Sequence, residues 1–334
     1  MRSRSILVMV MFVCVMAVAN IASADMVQGI NIDFVTIGNP GNPGDTKVQA
    51  DPCGCGAVSY NYRIGKYEVT NAQWNAFIAA AGAPTGNPST AYDSSAYFTG
   101  AQQPTNCVSW YEAAQFCNYL TSGDKSKGAY QFSGNNTNPG DFQGINRTAA
   151  ISSYGIAYVI PTENEWYKAA FHKNDGVTGN YWLYPTQSNS EPNNDLINPD
   201  PGNSANYYQD DFTTNPEGPT AVGEFENSDS NYGTFDQGGN VFEWNESLES
   251  SYRGCRGGAY CYTPSTTLYH SNHWPPYYER DFIGFRVAEV NEPHCSQSIP
   301  GDVNLDCKLD FTDFAIIAAH WLECNLQPQS ACWQ

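Results

Sequence analysis

The sequence predicts an α+β fold with long irregular stretches, joined to a small helical module near its C-terminal end. Three observations carry that expectation. The 334 residues include 29 Gly and 20 Pro, and aromatics reach 14%, a composition of turns and packed rings rather than of long helices. The helix-capping signals all fall before residue 175. Between residues 175 and 290, Asn, Asp, Gly, Pro and Tyr dominate, and no helix of ordinary length fits.

The elements follow in chain order. Arg2 and Arg4 precede an apolar run from Ile6 to Ala19, and Ala22-Ser23-Ala24 then supplies a small-x-small cleavage site. Residues 1–24 therefore read as a signal peptide, and the mature protein as secreted, periplasmic or cell-surface. The run is short for a membrane span, and no later segment reaches about 18 apolar residues. Asn39 to Asp51 reads as an exposed loop, and Tyr60 to Val69 alternates like a strand. Thr70 caps a helix from Asn71 to Ala81, with Trp74, Phe77 and Ile78 on one face. Ser109 caps a second helix, and Thr162, with Glu165 three residues on, caps a third. Asp175-Gly176 is a turn, and short strands are expected at Asn240–Trp244 and Gly284–Val290. The pattern breaks near Asn291–Pro300, dividing a domain at 25–290 from a module at 291–334.

Charge narrows the function. With 34 Asp and Glu against 15 Lys and Arg, the net charge is −19. Loss of Arg2 and Arg4 with the signal leaves 13 basic residues and a net of −21. An acidic chain without a basic stripe argues against nucleic acid and anionic membranes, whose phosphates require Lys and Arg. Cys14 also leaves with the signal, so ten of eleven cysteines remain. In an oxidising compartment, disulfides are the default expectation for them.

Six segments, in this order, resemble the formylglycine-generating, or sulfatase-modifying factor, family. They are Ile64–Asn71, Val108–Ala114, Ile160–Trp166, Gly239–Trp244, Arg256–Tyr260 and Gly284–Ala288. The resemblance implies an irregular α+β fold of the C-type-lectin-like kind. It also implies copper held by two thiolates, five and ten residues after the first Gly of the Arg-Gly-Gly motif. Counted from Gly257, those positions hold Tyr262 and Thr267, and Cys261 lies one place early. Copper and formylglycine-generating activity are therefore not expected, and the chain leans away from being an enzyme. Cys261 is expected in a disulfide with Cys255 or, alternatively, as a lone reactive thiol. The resemblance further implies calcium. One site would use Asp236, the carbonyls of Gly239 and Val241, and Glu243. A second would use Asn206 and the Tyr207 carbonyl, with Asp210 or Asp211 standing in for ligands lost with a shorter loop. Hard oxygen ligands on a tight turn suit Ca²⁺.

The C-terminal module carries its own calcium pattern. Asp302, Asn304, Asp306, Asp310 and Asp313 occupy positions 1, 3, 5, 9 and 12 of an EF-hand-type loop, and Lys308 would offer its carbonyl at position 7. Phe311, Phe314, Ala315, Ala318, Trp321 and Leu322 then mark one face of a helix. The segment resembles a single dockerin-type repeat. It departs from the pattern with Asp at position 12 and Cys307 at position 6, and the lone repeat argues against a cohesin-type partner.

Finally, Tyr262, Tyr269, His270, Asn272, His273 and Trp274 crowd the segment where the family's enzymes keep their groove. Tyr and Trp give large contact area at low entropic cost, and Asn and His add adaptable hydrogen bonds. His270 and His273 lack a third ligand for zinc. The expected function is a secreted, calcium-binding protein or glycan binder without catalysis. The alternatives are a divergent formylglycine-generating oxidase or another enzyme using the same groove, and a purely structural matrix or surface component.

Overall fold

The computed structural model describes residues 23–47, 54–84, 98–263 and 272–291, together with Leu309, Phe314 and Ala318. Among the described residues, four helices and eleven short strands span Ser23–Val290. Strands β1 (Ser23–Val27), β2 (Ile30–Ile37), β3 (Tyr62–Gly65), β6 (Ala157–Val159) and β11 (Ala288–Val290) form an antiparallel sheet in the order β1-β2-β3-β11-β6. Strand β11 enters between β3 and β6, with Ala288 opposite both Ile64 and Val159. This closure brings three segments far apart in sequence into one layer. A second sheet runs β10 (Ile283–Gly284), β7 (Phe242–Glu249), β8 (Tyr252–Arg256), β9 (Asn272–Trp274). Strands β4 (Tyr130–Phe132) and β5 (Phe142–Ile145) pair alone. Cleavage after Ala24 would shorten β1 to Asp25–Val27 and keep its pairing to Asn31 and Ile32.

The helices start where the local sequence puts them. Helices α1 (Asn71–Ala81), α2 (Trp110–Ser122) and α4 (Glu163–Phe171) each open on a reciprocal capping box, at Thr70/Gln73, Ser109/Glu112 and Thr162/Glu165. Each box satisfies two of the N–H groups that a helix start leaves open. Helix α1 has no basic residue in its last turn. Lys125 supplies the charge from outside, its Nζ donating to the carbonyls of Ala81, Gly82 and Ala83 at 3.0, 3.2 and 2.8 Å. Helix α3 (Arg147–Tyr154), capped by Asn146, is a short element that sequence periodicity does not announce. Trp74, Phe116 and Phe285 interlock between α1, α2 and the chain leading into β11, with ring centroids 5.4–5.9 Å apart.

Several expectations are corrected. The strand expected over Tyr60–Val69 is confined to Tyr62–Gly65, since the chain bends at Lys66 and Tyr67 after one last bond from the Lys66 N–H to the Asp33 carbonyl of β2. The one expected over Gly284–Val290 splits into β10 and β11, which belong to different sheets. Arg286, between them, is fully buried. The loop at Asn39–Asp51 is not wholly exposed. Asn42 and Asp45 are buried, taken up by the Gly56 carbonyl and the hydroxyls of Tyr181 and Tyr167. Among the described residues no helix is long and apolar enough to cross a membrane.

Candidate functional site

The turn before β7 is built from residues that tolerate left-handed backbone. Asp236, Gly239 and Asn240 have φ of 60°, 88° and 61°. At Gly239 a Cβ would overlap the Asn206 carbonyl oxygen, so glycine is required for close approach. Asn240 then locks the turn. Its N–H donates to the Asn206 carbonyl (2.7 Å), its Nδ2 to Glu68 Oε2 (2.8 Å), and its Oδ1 accepts the Thr220 N–H (3.0 Å). The two expected calcium sites are thus one structural unit, since Asn206 lies directly on the Asp236–Glu243 turn.

The electrostatics of that unit are lopsided. Among the described residues, Glu68, Asp236 and Glu243 gather around the Arg286 guanidinium. Arg286 forks onto Glu243 and also caps the carbonyls of Gly65, Lys66 and Phe235. Burial, then the neighbouring carboxylates Asp236 and Glu243, push Glu68 well above the usual range. Burial raises Asp236 to about 6 against the Gly223 N–H it accepts at 2.6 Å. Glu243 also takes the Trp166 indole N–H at 2.8 Å. Asn206 Oδ1 is buried with no hydrogen-bond partner among the described residues, while its Nδ2 is fixed by the Gly218 carbonyl and Asn240 Oδ1. The orphaned amide oxygen of Asn206 and the raised carboxylate of Asp236 are each the kind of hard oxygen donor that a cation such as Ca²⁺ would use. Glu243 fits less well, since its carboxylate is engaged by Arg286 and Trp166. The Tyr207 carbonyl accepts from Asn194 and, more weakly, from Thr213. Among the described residues no three His, Cys, Asp or Glu side chains cluster in a metal-binding arrangement.

The aromatic face is part packing and part surface. Tyr262 stands edge-on to Phe242 and Phe282, at 5.1 and 5.3 Å between centroids. Trp274 packs against Phe242, Trp244, Tyr278 and Phe282. Both keep part of their surface in solvent, as do Asn272 and His273. His273 Nδ1 lies 3.3 Å from Glu249 Oε2. Tyr269 and His270 fall outside the described residues, as do Thr267 and the loop residues Asp302, Asn304, Asp306, Lys308, Asp310 and Asp313. Of the expected helix beyond that loop, Phe314 and Ala318 have helical backbone and are exposed.

The match to known proteins falls on this domain. Residues 46–290 match the model of the sulfatase-modifying factor enzyme 1-like domain. The chain belongs to that family. Chaperone protein LppX of Paenibacillus barcinonensis is 25% identical over 226 residues, 62% of this chain and 71% of LppX. Among solved structures, Treponema denticola variable protein 1 superposes with a TM-score of 0.51 at 18% identity, covering 81% of this chain and 99% of that one. PvdO from Pseudomonas aeruginosa gives 0.49 at 18% identity, over 81% and 98%. The fold is therefore the irregular, C-type-lectin-like α+β architecture of the sulfatase-modifying factor enzyme 1-like family.

Tyr262, the position at which the resemblance led us to expect a first thiolate in the family's enzymes, is a ring packed on Phe242 and Phe282. The expected Cys255–Cys261 cross-link is corrected, since both are free thiols. Cys255 is fully buried in the core on β8, while Cys261 sits beyond the Gly257-Gly258 turn near Asp281. Burial, then Asp281, pushes the Cys261 thiol up to about 11, which opposes the thiolate that a reactive cysteine needs.

Sequence reasoning passed over the buried ion networks. Arg147 bridges Glu165 (2.8 Å) and Glu246 (3.0 Å), with Tyr60 and Tyr130 donating to the same carboxylates at 2.7 and 2.5 Å. The available signal was Glu165 in a capping box, a residue that already has a buried backbone partner.

Proposed function

We propose that this protein is an exported, calcium-stabilised binding protein that uses a sulfatase-modifying factor-like domain without formylglycine chemistry. The observation that carries the reading is Tyr262, an aromatic ring packed on Phe242 and Phe282 at the position of a copper thiolate. The high pKa of Cys261 supports it, because the one nearby thiol is held protonated. Export is supported by the Arg2/Arg4, apolar-run and Ala22-Ser23-Ala24 pattern. Calcium is supported by the orphaned Asn206 Oδ1 and the raised Asp236, and in the C-terminal module by the Asp302–Asp313 spacing. The ligand, a protein or a glycan, would meet the partly exposed face of Tyr262, Asn272, His273 and Trp274. A protein ligand accords with the name of the relative LppX, a chaperone.

The test is direct. Purified protein, supplied with copper and oxygen, is incubated with a cysteine-containing sulfatase peptide, and the peptide is read by mass spectrometry for aldehyde. No aldehyde is expected. Its appearance would establish the alternative, a divergent oxidase using the same groove. Calcium is tested separately by calorimetric titration of protein stripped with chelator, where Asn206→Ala should weaken binding.

A further inference from the structure

A cleft lies beside the start of α1, outside the aromatic face. It has a volume of about 440 Å³ and opens between the start of β2, the first turns of α1 and the segments at Gln102 and Val222. That size falls in the range of small-molecule clefts, roughly 300–1,000 Å³.

Its walls are fixed. Gln73 ties α1 to β2, with Oε1 accepting the Thr70 N–H (2.9 Å) and Nε2 donating to the Asn31 carbonyl (2.8 Å). Val222 N–H donates to the Gln102 carbonyl at 2.9 Å. Tyr67 leans on Phe235, 5.5 Å between centroids, and seats its ring edge on Gly223, where a Cβ would come within 2.5 Å of Cε1.

The groups lining the cleft contrast with those walls. Asn31 and Asp33 share the outward side of β2 by strand alternation, next to each other along the face. Among the described residues, the Asp33 carboxylate, the Asn31 and Gln102 carboxamides and the Tyr67 hydroxyl have no hydrogen bond or ion pair. Two amides, a carboxylate and a phenol therefore keep their donors and acceptors in hand, around the ring of Tyr67. A carboxylate beside carboxamides pairs with adjacent hydroxyls, and an aromatic ring covers the apolar side of a pyranose. The carboxylate and the net charge of −19 disfavour an anionic ligand. A polar lining gives little to a purely apolar one.

The geometry points to a neutral saccharide site in this cleft, with Asp33, Asn31 and Gln102 binding hydroxyls and Tyr67 covering the ring. It goes beyond the reading above, because it uses no residue of the aromatic face and no calcium. Rigid walls mean that little ordering is needed on binding.

Saturation-transfer NMR with the full chain and the methyl glycosides of mannose, galactose, glucose and N-acetylglucosamine tests it. At least one glycoside should receive saturation in the presence of chelator. Asp33→Ala and Gln102→Ala should each weaken that binding at least fivefold, with thermal melting unchanged because neither side chain has a partner to lose. Transfer to none of the four, or binding that survives the Asp33→Ala/Gln102→Ala double variant, would overturn the assignment. A failure here leaves the aldehyde assay untouched, so the two readings fail separately.

Discussion

Arg286 forks onto Glu243 in the centre of the domain, Nε to Oε2 at 2.5 Å and Nη2 to Oε1 at 2.7 Å, with both side chains fully buried. The pair joins the connection between β10 and β11, where the chain passes from one sheet to the other, to the start of β7. Removing one partner leaves the other as an uncompensated buried charge, which costs about 3–5 kcal/mol. Arg286→Met should lower stability by that order in urea denaturation. The Glu243→Gln/Arg286→Met double variant should lose less than the sum of its single variants. Additive losses would show that the fork is not the linking interaction.

The carboxylates beside that pair set a pH dependence. Asp236 is raised to about 6, chiefly by burial, from an unfolded value near 3.8. Between those values the folded state binds more protons than the unfolded state, so stability falls as pH rises through the window. Glu68 is raised for the same reason and acts in the same direction. In chelator, the Asp236 share should come to about 1–2 kcal/mol between pH 4 and 6, below the full shift because Asp236 keeps some solvent contact. Asp236→Asn should flatten that slope in denaturation curves taken across the range. An unchanged slope would place the titration elsewhere.

Cys261 should resist alkylation at neutral pH. Its thiol is pushed to about 11 by burial and by Asp281, so the rate of iodoacetamide labelling should climb only above pH 10. Asp281→Asn removes the second cause and should move the onset to lower pH. Rapid labelling at pH 7 would mean a thiolate, and with it the reactive-cysteine alternative.

Lys125 adds to the Gly82 cap of α1, whose N–H donates to the Ile78 carbonyl, by reaching the carbonyls of Ala81, Gly82 and Ala83. Lys125→Met keeps the stem and removes the donors, leaving these acceptors without their cation. A loss of about 1–3 kcal/mol is expected, together with faster amide exchange near the end of α1. Unchanged exchange there would show that water caps the helix equally well.

What could be read in advance follows from how local each signal is. The three capping boxes sit within four consecutive residues each, so Thr70, Ser109 and Thr162 marked their helices before any tertiary contact was known. Helix α3 escaped because eight residues, Arg-Thr-Ala-Ala-Ile-Ser-Ser-Tyr, carry only two buried positions and no apolar stripe. Asn42 and Asp45 looked like loop surface because their partners, Tyr181 and Tyr167, lie more than 120 residues away. The aromatic face was half legible. Tyr262 and Trp274 were picked out by composition, but only packing divides their buried sides from their exposed ones.

The sequence by itself determined the family, the helix starts and the Gly239 turn. All of these are matters of residue type and short spacing. Only the tertiary structure decided that Asn206 rests on the Gly239 turn, that Glu243 answers to Arg286, and that Cys255 and Cys261 stay apart. It alone gathered Asn31, Asp33, Tyr67 and Gln102 around one cleft. The reason is physical. A buried charge or amide is defined by what neutralises or hydrogen-bonds it, and around Asn240 those partners arrive from 34 and 172 residues away.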